Sequence, residues 1–580
     1  MVVRHHRGSK FLLPSVVLMG LLVACTSANT EQIPRSFQDE GGVAEMSPPS
    51  YEGRYLAGRQ AFREKNTEAA EGYFEGALEV HAEDEILLRN AFQVALANGN
   101  MPRALELAKE LNTRNIPNTD AADLVLGIDA IAKKDFSTAL EFLEKTKASG
   151  FNILLKPVLT SWIHIGLGDV DKALKTLDAL DKYDGFKVLK SYHLALLAHV
   201  SGKTDLARSQ YMKAMKGPAG RAVRLVQSHG AFLAEQGDTA GAQALFEDYR
   251  KKFPLSPTII KLLDDLSAGK PVAAPISDPL SGAAEALYSS ATIVGRDKAN
   301  GVAATYAHFA LMLKPDLEIA HALLAEISED QKKWQQALDF YAKVPGASPY
   351  AKNAKIRSSW INYKLDHTDQ AIKNLEKMAS DNPGEIEALV VLADLNRDLK
   401  KWDQAANAYG RAIDNIGIAT SRLWSLYYAR GIAFERLNKW PEAEADLLKA
   451  LELQPDHPQI LNYLGYSWAD RGENLEGAKD MLVKAVSLRP RDGYIVDSLG
   501  WLYYRVKDYE NATIQLEKAV ALQPEDPTIN DHLGDAYWRV NRTEEARYQW
   551  QRALWLDPDE ELIPVIKDKL ESGLPEDTDK

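Results

Sequence analysis

The feature that most constrains this chain is a recurrence every 34 residues. Gly500, Tyr503, Ala512, Ala519 and Pro524 return 34 positions later as Gly534, Tyr537, Ala546, Ala553 and Pro558. A fixed period of this length belongs to a solenoid: one small supersecondary unit, unable to bury its apolar face alone, stacks on copies of itself. Walking back from the last two units, earlier ones begin near Pro458, Trp424, Ile386, Lys352, Glu318 and Ala284. An alanine marks each unit, at Ala303, Ala337, Ala371, Ala405, Ala443, Ala478, Ala512 and Ala546. Because the register is anchored on these alanines, proline is the independent check. Pro315, Pro349, Pro383, Pro455, Pro490, Pro524 and Pro558 pass it, and Gly417 is the exception. The N-terminal half keeps the period more loosely, with Ala70, Ala104, Ala139, Ala173, Ala207 and Ala242 spaced by 34 or 35.

A small residue, then an aromatic, then two alanines and a proline resembles the tetratricopeptide repeat, in which these occupy positions 8, 11, 20, 27 and 32. The resemblance implies an all-α fold, a right-handed superhelical solenoid of about fourteen helix-turn-helix units in two arms. Its physical sense is direct. Small side chains at positions 8, 20 and 27 let helices approach, and proline, which cannot continue a helix interior, separates one unit from the next. Tripeptides such as Lys134-Asp135-Phe136 and Lys507-Asp508-Tyr509 place a turn and a covering aromatic between the two helices of a unit.

The expected organisation is a leader (1–25), a disordered tether (26–50), an N-terminal array (51–269), a proline-rich linker (270–283), a C-terminal array (284–560), and a capping helix with an acidic tail (561–580). Pro271, Pro275 and Pro279 make the linker read as a joint between arms that reorient. Residues 257 to 269 read as one extra closing helix.

The leader has a positive start (Arg4, His5, His6, Arg7, Lys10) and an apolar run from Phe11 to Val23, too short to span a bilayer. It ends in Leu22-Val23-Ala24-Cys25, similar to the lipobox of bacterial lipoproteins, and Cys25 is the single cysteine of the chain. That similarity implies lipidation of Cys25. Thr26 in place of Asp implies sorting to the outer membrane, with the body in the periplasm. A lone cysteine also excludes a disulfide framework and any site built from several thiolates.

Lys plus Arg number 69 against 82 Asp plus Glu, a net charge of −13, which argues against nucleic acid as a partner. No catalytic residue, metal site or cofactor is expected, and the protein reads as no enzyme. His-Glu-x-x-His and Gly-x-Ser-x-Gly are absent. Ser201-Gly202-Lys203-Thr204 imitates a phosphate-binding loop but has Leu197 where the first glycine belongs, so it reads as a turn.

In this repeat family, positions 2, 5, 9, 12 and 13 of the first helix face the concave groove where peptides bind. Carried onto the last three units, the rule selects Asn462, Tyr466, Asp470, Tyr494, Asp497, Trp501, Tyr504, Arg505, Asp531, Asp535, Trp538 and Arg539. Aromatics with polar tips beside charges are the chemistry of protein-binding hot spots. The Lys/Asn/Arg clamp that some members use for a terminal carboxylate is absent. Finally, Leu461-Asn462-Tyr463-Leu464-Gly465-Tyr466-Ser467-Trp468-Ala469-Asp470-Arg471, with Asp497-Ser498-Leu499-Gly500-Trp501-Leu502-Tyr503-Tyr504-Arg505, resembles the outer-membrane tetratricopeptide lipoproteins that act as adaptors of a periplasmic carboxyl-terminal processing protease. That resemblance implies a membrane-anchored scaffold whose partners are a PDZ-containing serine protease and the peptidoglycan hydrolases it degrades. The alternative is a scaffold of an envelope export or assembly complex, in polysaccharide secretion or outer-membrane biogenesis.

Overall fold

The computed structural model describes residues 50–576, apart from 118, 151, 217–221, 254–255, 297–298, 383–384 and 417–422. The leader, the tether up to residue 49, Pro254, Pro383 and Gly417 lie outside the described residues. Among the described residues there are thirty α-helices and no strand. They form fourteen consecutive helical hairpins, plus a single helix Pro257–Ser267 after the sixth and a closing helix Leu562–Ser572. The protein is therefore an all-α solenoid of the expected repeat count. First helices begin at Pro279, Glu318, Ala351, Ile386, Trp424 and Pro458, against expected unit starts at Ala284, Glu318, Lys352, Ile386, Trp424 and Pro458.

The recurrent small residues explain why hairpins form and stack. The marker alanine of every unit, from Ala70 to Ala546, is fully buried where its helix meets the partner helix. A methyl group on Gly500 would come within 2.6 Å of Leu516, and one on Gly534 within 2.5 Å of Trp550, so a larger residue at position 8 would force the helices apart. The turn inside each hairpin is equally uniform. Thirteen of the fourteen are described, and each has a residue in the left-handed region just after its first helix: Lys65, Gly99, Lys134, Gly168, Gly202, Gly237, Lys332, Asp366, Lys400, Asn438, Gly472, Lys507 and Asn541, with Asn474 a second one in the turn of Gly472. This residue closes the first helix and aims the chain into the second. At the third turn, Lys134 donates its N–H to the Ile131 carbonyl at 2.8 Å, and Asp135 then caps the next helix through the Thr138 N–H at 3.1 Å. The phosphate-loop imitation at Ser201–Thr204 is such a turn, with Gly202 at φ 71°.

Two compact units divide between Ile361 and Asn362, not at residues 270–283. The reason lies in the first unit. The proline-rich stretch is pinned by buried Val272 and Ile276, and Asp278 caps the following helix through the N–H groups of Leu280 and Ser281 at 2.8 and 3.0 Å. That helix, Pro279–Arg296, runs against the N-terminal helix Asn152–Gly166, while its hairpin mate Asn300–Leu313 lies against Asp120–Ala132 and Glu85–Asn98. The first hairpin after the prolines is thus packed back into the N-terminal array, and the stretch is an anchored connection, not the joint its prolines imply. In the second unit, hairpins from Thr368 onward stack in series to the closing helix.

Candidate protein-binding groove

The residues selected from the repeat rule in the last three units sit on three consecutive first helices, Pro458–Arg471, Gly493–Arg505 and Pro527–Arg539. The 34-residue period sets them side by side, and the side chains join across the helices. Trp501 is the centre. Its ring stacks on His532 (centroids 4.2 Å apart) and on Tyr504 (5.0 Å), and its Nε1–H points at Asp470 Oδ1, 3.3 Å away. Arg505 reaches the same carboxylate oxygen at 3.4 Å. Tyr466 is half-buried, its phenol pushed up first by burial and then by the carboxylates of Asp470 and Asp497. Tyr494 is 46% exposed, one turn before Asp497. Asn462, one turn before Tyr466, keeps its amide oxygen buried without a hydrogen-bond partner.

Beneath Trp501 lies a buried ion pair, of which the repeat rule selects Asp497 but not His532. His532 Nδ1 is 3.0 Å from Asp497 Oδ1. Burial alone would drive this imidazole toward the neutral form, but Asp497 outweighs it, so the histidine titrates above its ordinary value. When protonated, His532 sets a cation against the indole stack, a favourable partner for an aromatic face.

The last unit departs from the expectation of an open groove. Asp531 and Asp535 are buried, and Lys569 from the closing helix is inserted between them, 2.7 Å from Asp531 Oδ2 and 2.8 Å from Asp535 Oδ1. Asp535 also accepts from Trp550 Nε1 at 2.9 Å. Trp538 packs at a tilt on Trp550 with ring centroids 5.4 Å apart and lies against Gly573, and Arg539 donates to the Pro575 carbonyl at 2.8 Å. Four of the selected residues, Asp531, Asp535, Trp538 and Arg539, are thus covered by the chain's own C-terminal segment. The physical reason is the pair of like charges one turn apart on a buried face, which requires a cation between them. Lys569 supplies it. The accessible part of the groove is left to Asn462, Tyr466, Asp470, Tyr494, Trp501, Tyr504 and Arg505.

Comparison with known proteins bears on this same region. Residues 428–491 and 498–561 match a tetratricopeptide-repeat profile, and residues 229–256 match another of the same description. These segments are tetratricopeptide repeats. A TPR repeat-containing protein of Pseudomonas aeruginosa, PA4667, is 31% identical over 190 residues, covering 33% of this chain and 31% of the relative. The chain thus matches about a third of that relative's length. Among solved structures, a tetratricopeptide repeat protein of Parabacteroides merdae is 18% identical with a TM-score of 0.36, covering 44% of this chain and 97% of the other. Yeast Tom70 is 16% identical with a TM-score of 0.33, covering 90% and 95%.

No group of three or more His, Cys, Asp or Glu is placed to hold a metal ion among the described residues, and no described helix is long and apolar enough to cross a membrane.

Proposed function

We propose that this chain is a lipid-anchored protein-interaction scaffold of the bacterial envelope, and specifically an adaptor that brings a carboxyl-terminal processing protease together with its cell-wall hydrolase substrates. The coarse part, a protein-binding scaffold of tetratricopeptide repeats, rests on the repeat matches and on the all-helical solenoid. The observation that carries the binding role is the cluster around Trp501, where a half-buried indole stacked on an ion-paired histidine adjoins Tyr504, Tyr466, Asp470 and Arg505. Preordered aromatics with polar edges bind at low entropic cost, and this is what anchors a protein partner. The adaptor role is carried by the sequence resemblance over residues 461–560, and the anchor by the leader ending in Cys25. On this reading catalysis belongs to the partner. The scaffold acts by holding protease and substrate on one tether, which raises the effective concentration of each for the other.

The test is crosslinking in intact cells followed by mass spectrometry of what is recovered with the protein, run beside Cys25→Ser. Recovery of a PDZ-containing serine protease with peptidoglycan hydrolases, and release of the Cys25→Ser protein from membranes, is the expected result. Recovery of an export or barrel-assembly complex without a protease overturns the adaptor reading, and a membrane-bound Cys25→Ser protein overturns the anchor.

A further inference from the structure

The groove positions of the first array are already occupied. Counted in the repeat register, Trp162 stands at position 9 of its unit, Tyr192 at position 5 and Arg224 at position 2, all groove-facing places. In the structure all three touch the helix Pro279–Arg296, which lies outside the array's own sequence. Glu285 of this helix is 2% exposed. Its carboxylate accepts from the Tyr192 hydroxyl at 3.0 Å and from Arg224 Nε at 3.0 Å, with a second contact from Arg224 Nη2. Gln227 holds the guanidinium from the other side at 3.0 Å, and Ser228 lies 3.3 Å from the Tyr192 hydroxyl. One turn before Glu285, the fully buried Trp162 ring fills the place a side chain at Gly282 would need, 2.2 Å from an added Cβ. Trp162 is itself held by Nε1–H donation to His193 Nδ1 at 3.3 Å. Around these contacts the helix is mostly small residues, with Ala283, Ala284, Ala286, Ser289, Ser290 and Ala291 buried beside the larger Leu287 and Val294.

This is an arrangement for recognition. An apolar helix would pack without any buried charge, whereas a buried ion pair adds little net stability and makes one register and one ligand chemistry much better than others. Arg224 and Tyr192 read a carboxylate, and Trp162 demands that the residue one turn earlier be glycine. Burial would raise the Glu285 carboxyl, and Arg224 reverses the balance and holds it below the ordinary value, so the charge is present at neutral pH.

We propose that the concave face of the first array is a receptor for a small-residue helix bearing one carboxylate a turn after a glycine, that the segment Pro279–Arg296 occupies it in the resting protein, and that a partner helix of the same chemistry enters only by displacing that segment. The inference goes beyond the scaffold reading and stands whether or not the partner is a protease.

The test uses the full chain and a fluorescent peptide of residues 277–296. A resident helix bound more than ~99% of the time weakens apparent affinity about a hundredfold. Wild-type protein is therefore expected to bind the peptide at least about a hundredfold more weakly than Glu285→Ala, whose resident helix has lost its anchor. Arg224→Ala/Glu285→Ala is expected to lose that gain, because the carboxylate reader is gone. Equal binding by wild type and Glu285→Ala, or undiminished binding by the double variant, overturns the proposal. Hydrogen exchange on the wild-type protein tests it without relying on any variant. Amides of Pro279–Arg296 are expected to exchange faster than those of Asn152–Gly166 and Lys187–Val200, and a single common rate for all three helices would make the segment a fixed part of the core and overturn the proposal as well.

Discussion

Lys569→Met removes the cation that closes the last repeat. In the folded protein the ammonium is 12% exposed and each aspartate 7%, so all three charges are largely withdrawn from water. Methionine keeps the aliphatic bulk but leaves Asp531 and Asp535 as unpartnered like charges one turn apart. Breaking a buried pair by removing one member costs about 3–5 kcal/mol. The second unit spans Asn362 to Lys580, a size at which 1 kcal/mol moves the midpoint by about 2–4 °C, so its melting transition should fall by about 6–20 °C. Because repeat stability is passed between neighbours, the loss should concentrate at the end of the array, and amides of Leu562–Ser572 should lose protection first. The pH dependence adds a signature. Asp535 is pushed up to about 6, by burial first and by Asp531 second. Its folded form thus takes a proton more readily than its unfolded form, and acidification from pH 8 toward 5 adds stability. Without Lys569 that gain is larger, so the defect should shrink at pH 5. Scanning calorimetry of wild type and variant at both pH values measures it. A defect of about 1 kcal/mol or less at pH 8, the size of an exposed pair, or one that grows on acidification, would refute the clasp.

Three further outcomes follow from the same geometry. Trp538→Ala, which strips a ring from Trp550 and Gly573, should cost about 3 kcal/mol or more in thermal unfolding, whereas Trp501→Ala should cost about 1 kcal/mol and show chiefly as lost partner capture; equal melting losses would place Trp501 in the core. Lys332→Gly should stabilise the first unit by about 1 kcal/mol in denaturant unfolding, since Lys332 sits at φ 58° where a side chain is strained; no gain would mean that the turn tolerates lysine at no cost. His532 titrates above its ordinary value because of Asp497, so its contribution is complete below pH 6.5 and fades as pH rises through the folded value. The second unit's midpoint should therefore fall as pH rises above 6.5, and His532→Gln should flatten that slope.

What could be read from sequence follows from the range of each interaction. Hairpins were legible because their determinants are local: Ala512 packs against the helix preceding it, and Asp135 caps the helix it begins. Unit starts such as Glu318, Ile386 and Pro458 carry over to the structure unchanged for the same reason. The docking of Pro279–Arg296 was not legible, since Tyr192 and Glu285 are 93 residues apart and neither breaks the repeat pattern. Its proline-rich approach pointed to a joint because proline reports local backbone conformation and nothing about Val272 and Ile276, which pin it. In the groove, Trp501, Tyr504 and Arg505 could be placed on one face from spacing alone. His532 could not, because its position falls outside the groove rule and only the neighbouring Asp497 gives it meaning. Lys569 left one trace in the sequence, the like-charged pair Asp531 and Asp535 one turn apart on a face that the closing helix buries.

The fully buried alanine in every hairpin has a consequence for how the chain can vary. Ala70, Ala104, Ala139 and their counterparts through Ala546 lie one repeat apart, each at a helix crossing with no spare volume. Tolerance to substitution should therefore oscillate along the chain with a wavelength of one repeat. In a complete mutational scan, the Fourier spectrum of fitness would carry its strongest line at 34 residues, and positions out of phase with that wave would be where selection acts on something other than packing.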